Sequence, residues 1–266
     1  MKTLIAIPAR YASSRYPGKP LVQLTGCDGT QKSLIQRSWE AACAVDLSCD
    51  VVVATDDDRI RQAAVSFGAK VVMTSPDCGN GTERCAQAFQ ELGGGYDFVV
   101  NLQGDAPLTP AWFVEDLVRA LARNPATDLA TPVLRCDGRA LSGFLADRKA
   151  GRVGGTTAVF NQDDQALYFS KEVIPFTSRT YADDENTPVF HHVGVYAYRP
   201  DGLLAYPTWP VGVLEHQEGL EQLRFLEQGK HVTCVEVDAR GRQFWELNNP
   251  EDVAKIQKMM ADMGVS

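Results

Sequence analysis

Short, unbroken apolar runs alternate with segments of helical period over the first 135 residues. The runs are 3–7, "VVVAT" at 51–55, "KVVMT" at 70–74, "DFVVNL" at 97–102 and "LATPVL" at 129–134. With little or no polar face, they predict strands buried on both sides, as a parallel sheet requires. Between them, "SLIQRSWEAACAV" (33–45) spaces Leu34, Ile35, Trp39 and Ala42 at helical intervals. "DDDRIRQAAVSFG" (56–68) has acids in its first turn and a closing glycine, and "GTERCAQAFQEL" (81–92) is a further helix. "TPAWFVEDLVRALARN" (109–124) predicts a helix with Thr109 as N-cap and Pro110 at its first position. Such alternation with short connections means βαβ units and a mixed, mostly parallel sheet, an α/β fold.

The pattern changes after residue 135. "TTAVFNQDDQALYFS" (156–170) reads as two strands around a turn, and "HHVGVYAY" (191–198) as one strand. "EHQEGLEQLRFLEQG" (215–229) reads as a helix and "VTCVEVD" (232–238) as a strand. "NPEDVAKIQKMMADMG" (249–264) reads as the last helix, with Asn249 as cap and Pro250 behind it. This half is strand-rich and extends the sheet. The expected organisation is a single domain over 1–266, with a first half at 1–135 and a second half at 136–266.

The chain has 266 residues, 44% hydrophobic and 23% charged, with a net charge of −8. That composition belongs to a globular protein with a substantial core. The acidic balance, and the lack of any basic run longer than two residues, argue against nucleic-acid binding. No stretch approaches the roughly 20 apolar residues that span a bilayer, and no apolar h-region follows Lys2, so no membrane association and a cytoplasmic location are expected. The seven cysteines, an odd number, contain no C-x-x-C pair, which predicts reduced and mostly buried thiols.

Against that acidic background, the loop after the first strand is conspicuous. It carries Arg10, Arg15 and Lys19 and is shaped by Pro17, Gly18 and Pro20. In an open parallel sheet, ligands bind beyond the carboxyl ends of the strands. There the other strands present Asp56, "SPDCGNGTER" and "QGDAP". Cations on a constrained loop can hold phosphate oxygens, with arginine giving bidentate contacts. A lone Asp105 can take Mg2+, which prefers one or two carboxylates plus phosphate oxygens. The set suits a nucleoside triphosphate. Neither G-x-x-x-x-G-K-[ST] nor G-x-G-x-x-G after the first strand is present, so the chain is neither a P-loop nor a dinucleotide-binding protein.

The motifs "IPARYASSRYPGKPL", "VVVATDD", "GTER", "VNLQGDAPL", "ALYFSK", "HHVGVYAYR" and "LEQLRFLEQG" occur in this order. Together they resemble the 3-deoxy-manno-octulosonate cytidylyltransferases over nearly the whole chain. The resemblance implies a three-layer, Rossmann-like and glycosyltransferase-A-like nucleotidyltransferase with a strand-rich dimerisation region, in which 1–135 is the CTP-binding half and 136–266 the sugar-acid-binding and dimerisation half. It implies a homodimer that uses CTP and Mg2+ to join CMP to the anomeric hydroxyl of a 3-deoxy-2-keto sugar acid, releasing pyrophosphate for lipopolysaccharide biosynthesis. By motif, Arg10 and Lys19 correspond to triphosphate ligands, with Ala9 and Arg15 beside them. Asn80, Gly81 and Thr82 correspond to the cytosine pocket, Gln103 to a ligand of nucleotide or sugar acid, and Asp105 to the Mg2+ ligand. His192, Glu221 and Gln222 correspond to sugar-acid contacts.

Three departures bear on that resemblance. The family's "QGDEP" is "QGDAP", so Ala106 replaces an acid. Its "NPNxVK" is "RVGGTT", with Thr157 where lysine is expected. Its second metal-binding aspartate is replaced by Asn248 in "ELNNPED", and a neutral amide is a poorer ligand for a hard cation. Two alternatives therefore stay open: CMP transfer to a different acid, a modified ulosonate or a phosphonate, or a non-catalytic nucleotide-binding homologue.

Overall fold

The computed structural model describes residues 1–13, 16–153, 155–242 and 245–266, so the expectation for Arg15 lies outside the described residues. Packing divides the chain into two compact units, 1–115 with 239–266, and 116–238. The division thus falls at 115/116, and the chain returns to the first unit for its last 28 residues.

In chain order the first unit contains β1 (Thr3–Ala9), β2 (Gln23–Thr25), β3 (Gln31–Ser33), α1 (Leu34–Cys43), β4 (Cys49–Thr55), α2 (Asp58–Ser66), β5 (Lys70–Met73), α3 (Gly81–Glu91) and β6 (Phe98–Leu102). The helix α4 (Ala111–Arg123) carries the chain onward. The second unit contains β7 (Leu129–Asp137), α5 (Gly138–Lys149), β8 (Thr156–Phe160), β9 (Ala166–Ser170), β10 (Asn186–His192), β11 (Val195–Tyr198), α6 (Pro200–Ala205), α7 (Val213–Glu218), α8 (Leu223–Glu227) and β12 (Val232–Glu236). The final helix, α9 (Asp252–Asp262), belongs to the first unit.

The first unit is built on parallel strands in the order β5–β4–β1–β6. Ile5 stands between Val51 and Val100, and Leu4, Ile5, Ala6 and Ile7 are fully buried. This is why those runs read as continuous apolar sequence: both faces are covered. The small β2–β3 hairpin packs with α1 and α9 through Leu24, Leu34, Leu247, Ile256 and Met260. Its strands are three residues each, too short to leave a periodic signature.

The second unit is mostly antiparallel, with β7 bonded to β11 and β10, β10 to β8, and β8 to β9, while β12 runs parallel to β7. Two expected elements are divided. The run 191–198 is the end of β10 and all of β11, interrupted at Val193–Gly194, where Val193 N–H donates to Pro132 O. The helix expected over 215–229 is α7 and α8, broken at Gly219, whose φ of 62° ends α7 in the left-handed region. Helix α5 was not foreseen because it buries only Gly138 and Leu141, too little for a helical stripe.

The cap expected at Asn249 is also corrected. Helix α9 starts at Asp252, and the Asp252 carboxylate reaches back to the N–H groups of Asn248 and Asn249 at 2.9 and 2.7 Å. An acid at the helix start serves these donors better than a neutral amide, because it also meets the positive end of the helix dipole. The cysteines are free, but only Cys85, Cys136 and Cys234 are buried; Cys27 and Cys43 are exposed.

Candidate active site

Asp105 is fixed by its backbone before its side chain does anything. Gly104 lies directly under β1: a Cβ there would stand 2.8 Å from Pro8 O, so only glycine allows the 103–105 turn to sit so close. Ser38 Oγ donates to Gly104 O at 3.1 Å, Ala106 N–H to Gln103 O at 3.2 Å, and Leu247 N–H to Asp105 O at 2.9 Å. Three chain segments thus hold the turn, and the last brings Glu246–Asn248 alongside it. The Asn248 amide donates to Glu246 Oε2 at 3.4 Å.

The Lys19 ammonium meets Asp105 Oδ2 at 2.6 Å, joining residues 86 positions apart. Lys19 opens a three-residue 3-10 turn after Gly18, whose φ of 73° lets the loop fold back so that Gly18 N–H donates to Tyr11 O. Ala9 is the buried last residue of β1, and Arg10 follows it exposed. Two of the three expected cations are therefore at the carboxyl end of β1, one of them on the expected metal ligand.

The start of α3 closes the other side. Asn80 caps the helix, its side chain accepting from Glu83 N–H at 2.9 Å, while Glu83 Oε2 accepts from Gly79 N–H. A Cβ on Gly81 would meet Asn101 Nδ2 at 3.0 Å, Gln103 Nε2 at 3.3 Å and Pro8 Cγ at 3.4 Å. The structure thus brings Gly81 and Gln103 together, with Thr82 buried behind them.

Sequence reasoning missed three participants. Arg84, one turn into α3, is buried and pairs with Asp56 at 3.5 Å, also donating to Thr74 Oγ1 and Ser75 O. This pair ties the ends of β4 and β5 to α3; its only sequence signal is the Asn80-to-Arg84 spacing of one helical turn. Asn101, fully buried, has no hydrogen-bond partner for either amide atom among the described residues. Leaving such a group unpaired costs about 1–3 kcal/mol, so it marks polar ground that a water or ligand completes. Arg59, stacked on Tyr11, is the third.

In the second unit His192 closes β10 and is buried, ring against Phe169 and Tyr196. Its Nε2 is 2.9 Å from Thr131 Oγ1, which donates its single proton to Val195 O at 2.9 Å. Nε2 therefore carries the hydrogen, and Nδ1 is the acceptor. Burial, with a smaller effect of His191, pushes His192 down to about 3. It is neutral at working pH. Because its folded-state pKa is depressed, below 6.5 the unfolded chain takes a proton that the folded chain refuses. The stability His192 confers above pH 6.5 should drain as pH falls towards 3, steepening acid unfolding by up to about 1.4 kcal/mol per pH unit. Urea midpoints from pH 7 to 4.5 check this; His192→Gln should flatten the slope.

Gln222 Oε1 accepts from Tyr196 OH at 3.1 Å, while its buried Nε2 has no partner among the described residues. Glu221 is half-buried, and its carbonyl accepts from Tyr206 OH at 3.1 Å. Beneath them lies a buried bidentate pair, Arg224 to Glu215 at 2.6 and 2.8 Å, with the guanidinium over Tyr206. His192, Tyr196 and Gln222 thus form one contact chain. Thr157 has a framework role: buried, it donates to Glu172 O at 2.7 Å and accepts from Ile174 N–H at 3.1 Å. Among the described residues no three acidic, histidine or cysteine side chains gather as a ready-made metal site, and no helix is long and apolar enough to cross a membrane.

A parallel α/β sheet with a cation loop, a glycine-opened helix and a carboxylate at its strand ends defines a nucleotidyltransferase-type protein. A model of the family described as Cytidylyltransferase matches residues 4–232. The 3-deoxy-manno-octulosonate cytidylyltransferase of Maricaulis maris is 42% identical, over 99% of each chain. The 8-amino-3,8-dideoxy-manno-octulosonate cytidylyltransferase of Shewanella frigidimarina is 40% identical, over 98% of this chain and 99% of its own. A solved structure of CMP:2-keto-3-deoxy-manno-octonic acid synthetase complexed with CTP superposes with a TM-score of 0.82 at 34% identity, over 99% of this chain and 100% of that one. The chain belongs to the 3-deoxy-manno-octulosonate cytidylyltransferase family.

Proposed function

We propose that the protein transfers CMP from CTP to the anomeric hydroxyl of 3-deoxy-manno-octulosonate and releases pyrophosphate. The observation that carries this reading is the Lys19–Asp105 pair at the carboxyl end of β1, beside the Gly81 opening of α3. In phosphoryl-centre displacement the protein chiefly positions reactants and neutralises charge. Arg10 and Lys19 stabilise the triphosphate and the departing pyrophosphate, a local positive field within a chain of net charge −8. Gly81 lets the base approach the start of α3, with Asn101 and Gln103 as polar partners. In the second unit, His192 Nδ1 accepts from a sugar hydroxyl, and Glu221 and Gln222 Nε2 supply further polar contacts.

The donor set also fits Mg2+. Asp105 offers a carboxylate on which a cation, the Lys19 ammonium, already rests, and Glu246 and Asn248 lie on the adjoining segment. When bound, Mg2+ neutralises phosphate charge and orients the attacking hydroxyl. Asp105 would hold it, with Asn248 or Glu246 as the weaker second ligand. Asn248→Asp should lower the Mg2+ concentration for half-maximal rate, because an added charge counts more in a partly desolvated site. A Mg2+ titration of both proteins checks this; an unchanged midpoint removes Asn248 from the metal site.

The deciding experiment is pyrophosphate release from each of the four nucleoside triphosphates with the acid. CTP should be strongly preferred, and equal turnover with ATP would overturn the reading. The 8-amino acid named in relatives at about 40% identity is the second acceptor to assay, since it differs by a cation that needs its own partner. Two copies associate through the second unit, where Phe176, Val213 and Leu167 are 89%, 73% and 62% exposed. Light scattering at micromolar concentration should give twice the monomer mass.

A further inference from the structure

Among the described residues between Ala9 and Pro20 none is buried. The described part of the segment that presents Arg10 and Lys19 therefore lacks the usual source of loop rigidity, a side chain anchored in the core. Tyr16 packs partway against the Leu24 cluster, but the stretch nearer Arg10 is held differently. Tyr11 sits between two neighbours. Across one face lies Arg59, its guanidinium carbon 3.3 Å from the ring centroid. Gly18 is on another side: a Cβ there would stand 3.0 Å from Tyr11 Cζ and 3.1 Å from both Cε2 and the hydroxyl oxygen, and Gly18 N–H donates to Tyr11 O at 2.9 Å.

Arg59 is itself fixed. Asp57 accepts from Arg59 Nε at 3.0 Å, from Nη2 at 2.6 Å and from the Arg59 N–H at 2.9 Å, while it caps α2. Asp57 N–H donates to Thr55 Oγ1, and Thr55 is the fully buried last residue of β4. A continuous line of contacts thus runs from the sheet through Asp57, Arg59 and Tyr11 to Gly18, the residue before Lys19. Its lateral grip is a planar guanidinium on an aromatic face, which holds position without filling a core. Asp57 engages Nε and Nη2 of the guanidinium and so fixes its plane against the ring.

We infer that Tyr11, clamped by Arg59, is a positioning residue that sets Arg10 and Lys19 for the triphosphate. The inference rests on the reading of this loop as the CTP site. A misplacement of about 1 Å in such a site can cost up to about a hundredfold, so loosening the clamp should weaken CTP binding by about tenfold or more. The test is calorimetric titration with CTP, without the acid, on Tyr11→Phe, Tyr11→Leu, Arg59→Ala, the double variant Tyr11→Leu/Arg59→Ala, and Lys19→Met. Tyr11→Phe keeps the stacking ring and should bind as the native chain does. Tyr11→Leu and Arg59→Ala should each weaken binding about tenfold with melting temperature unchanged. The double variant should be no weaker than either single one, since both break the same contact. In steady-state assays the loss should fall on the KM for CTP and leave the KM for the acid unmoved.

Native CTP affinity in Tyr11→Leu, with Lys19→Met weakened, overturns the inference alone. A loss confined to Arg59→Ala overturns it too and makes Arg59 a direct ligand. Native affinity in Lys19→Met removes the loop from nucleotide binding, and both readings fall.

Discussion

Asp105→Asn should lower the rate of pyrophosphate release by two to nearly four orders of magnitude, with the fold intact. The substitution conserves shape and removes one negative charge. The backbone of the turn is held by Leu247 N–H on Asp105 O, Ala106 N–H on Gln103 O and Ser38 Oγ on Gly104 O, none of which involves the side chain. What is lost is the anionic oxygen that Lys19 holds at 2.6 Å, the proposed anchor for charge neutralisation in the reaction. Removing one preorganised electrostatic contact from an enzyme site costs about 3–4 kcal/mol, and a metal anchor carries at least as much, on the order of 3–5 kcal/mol. Rates at saturating CTP, acid and Mg2+, with circular dichroism and melting temperature as folding controls, check this. A variant keeping more than a tenth of the native rate would take Asp105 out of the mechanism.

The features that make this turn rigid divide into those legible in the chain and those that are not. The carboxyl ends of β1, β4, β5 and β6 could be located because strands covered on both faces write themselves as apolar runs, and the residue types beyond them could be read off. Which of those residues touch could not. Lys19 and Asp105 are 86 positions apart, and their contact follows from β1 and β6 being neighbours, a fact of topology. The requirement for glycine at 104 comes from Pro8 O, on another strand.

Local patterns misled where a break had no strong marker. "HHVGVYAY" keeps strand composition through Val193–Gly194, although β10 ends there and β11 begins. Gly219 was present in the expected helix, but a single glycine is tolerated in many helices, and only its left-handed backbone in the folded chain separates α7 from α8. At α9 the expected cap was misplaced by two residues: Glu251 holds the cap position, and the first helical residue, Asp252, reaches backward to the N–H groups of Asn248 and Asn249, a choice that rests on geometry and not on the identity of Asn249. Pairs such as Asp56–Arg84 and Arg59–Tyr11 join side chains from different elements, which no spacing rule along one element can foresee.

Lys19→Met should bind a divalent cation more tightly than the native chain when no nucleotide is present, and CTP more weakly. The Lys19 ammonium rests on the Asp105 carboxylate that would hold a metal, with both side chains largely shielded at 15% and 23% exposure. A metal on that carboxylate competes with the lysine for its negative charge, so its affinity is reduced by up to the strength of a charge-assisted hydrogen bond, about 1.5–3 kcal/mol. Relieving that competition should raise the affinity about tenfold to a hundredfold by the same figure. On the proposed reading, the triphosphate draws Lys19 onto its own oxygens and frees Asp105. CTP and the cation then favour each other's binding by a common factor, as linkage demands. Loss of a positive charge anywhere near the site would also attract cations, so Arg10→Gln serves as the control: Arg10 is exposed and should give a much smaller gain. Manganese binding followed by electron paramagnetic resonance, without CTP, measures the effect directly. Equal manganese affinity in Lys19→Met and the native chain would mean that the lysine does not guard the carboxylate, and would reduce the pair to a structural contact.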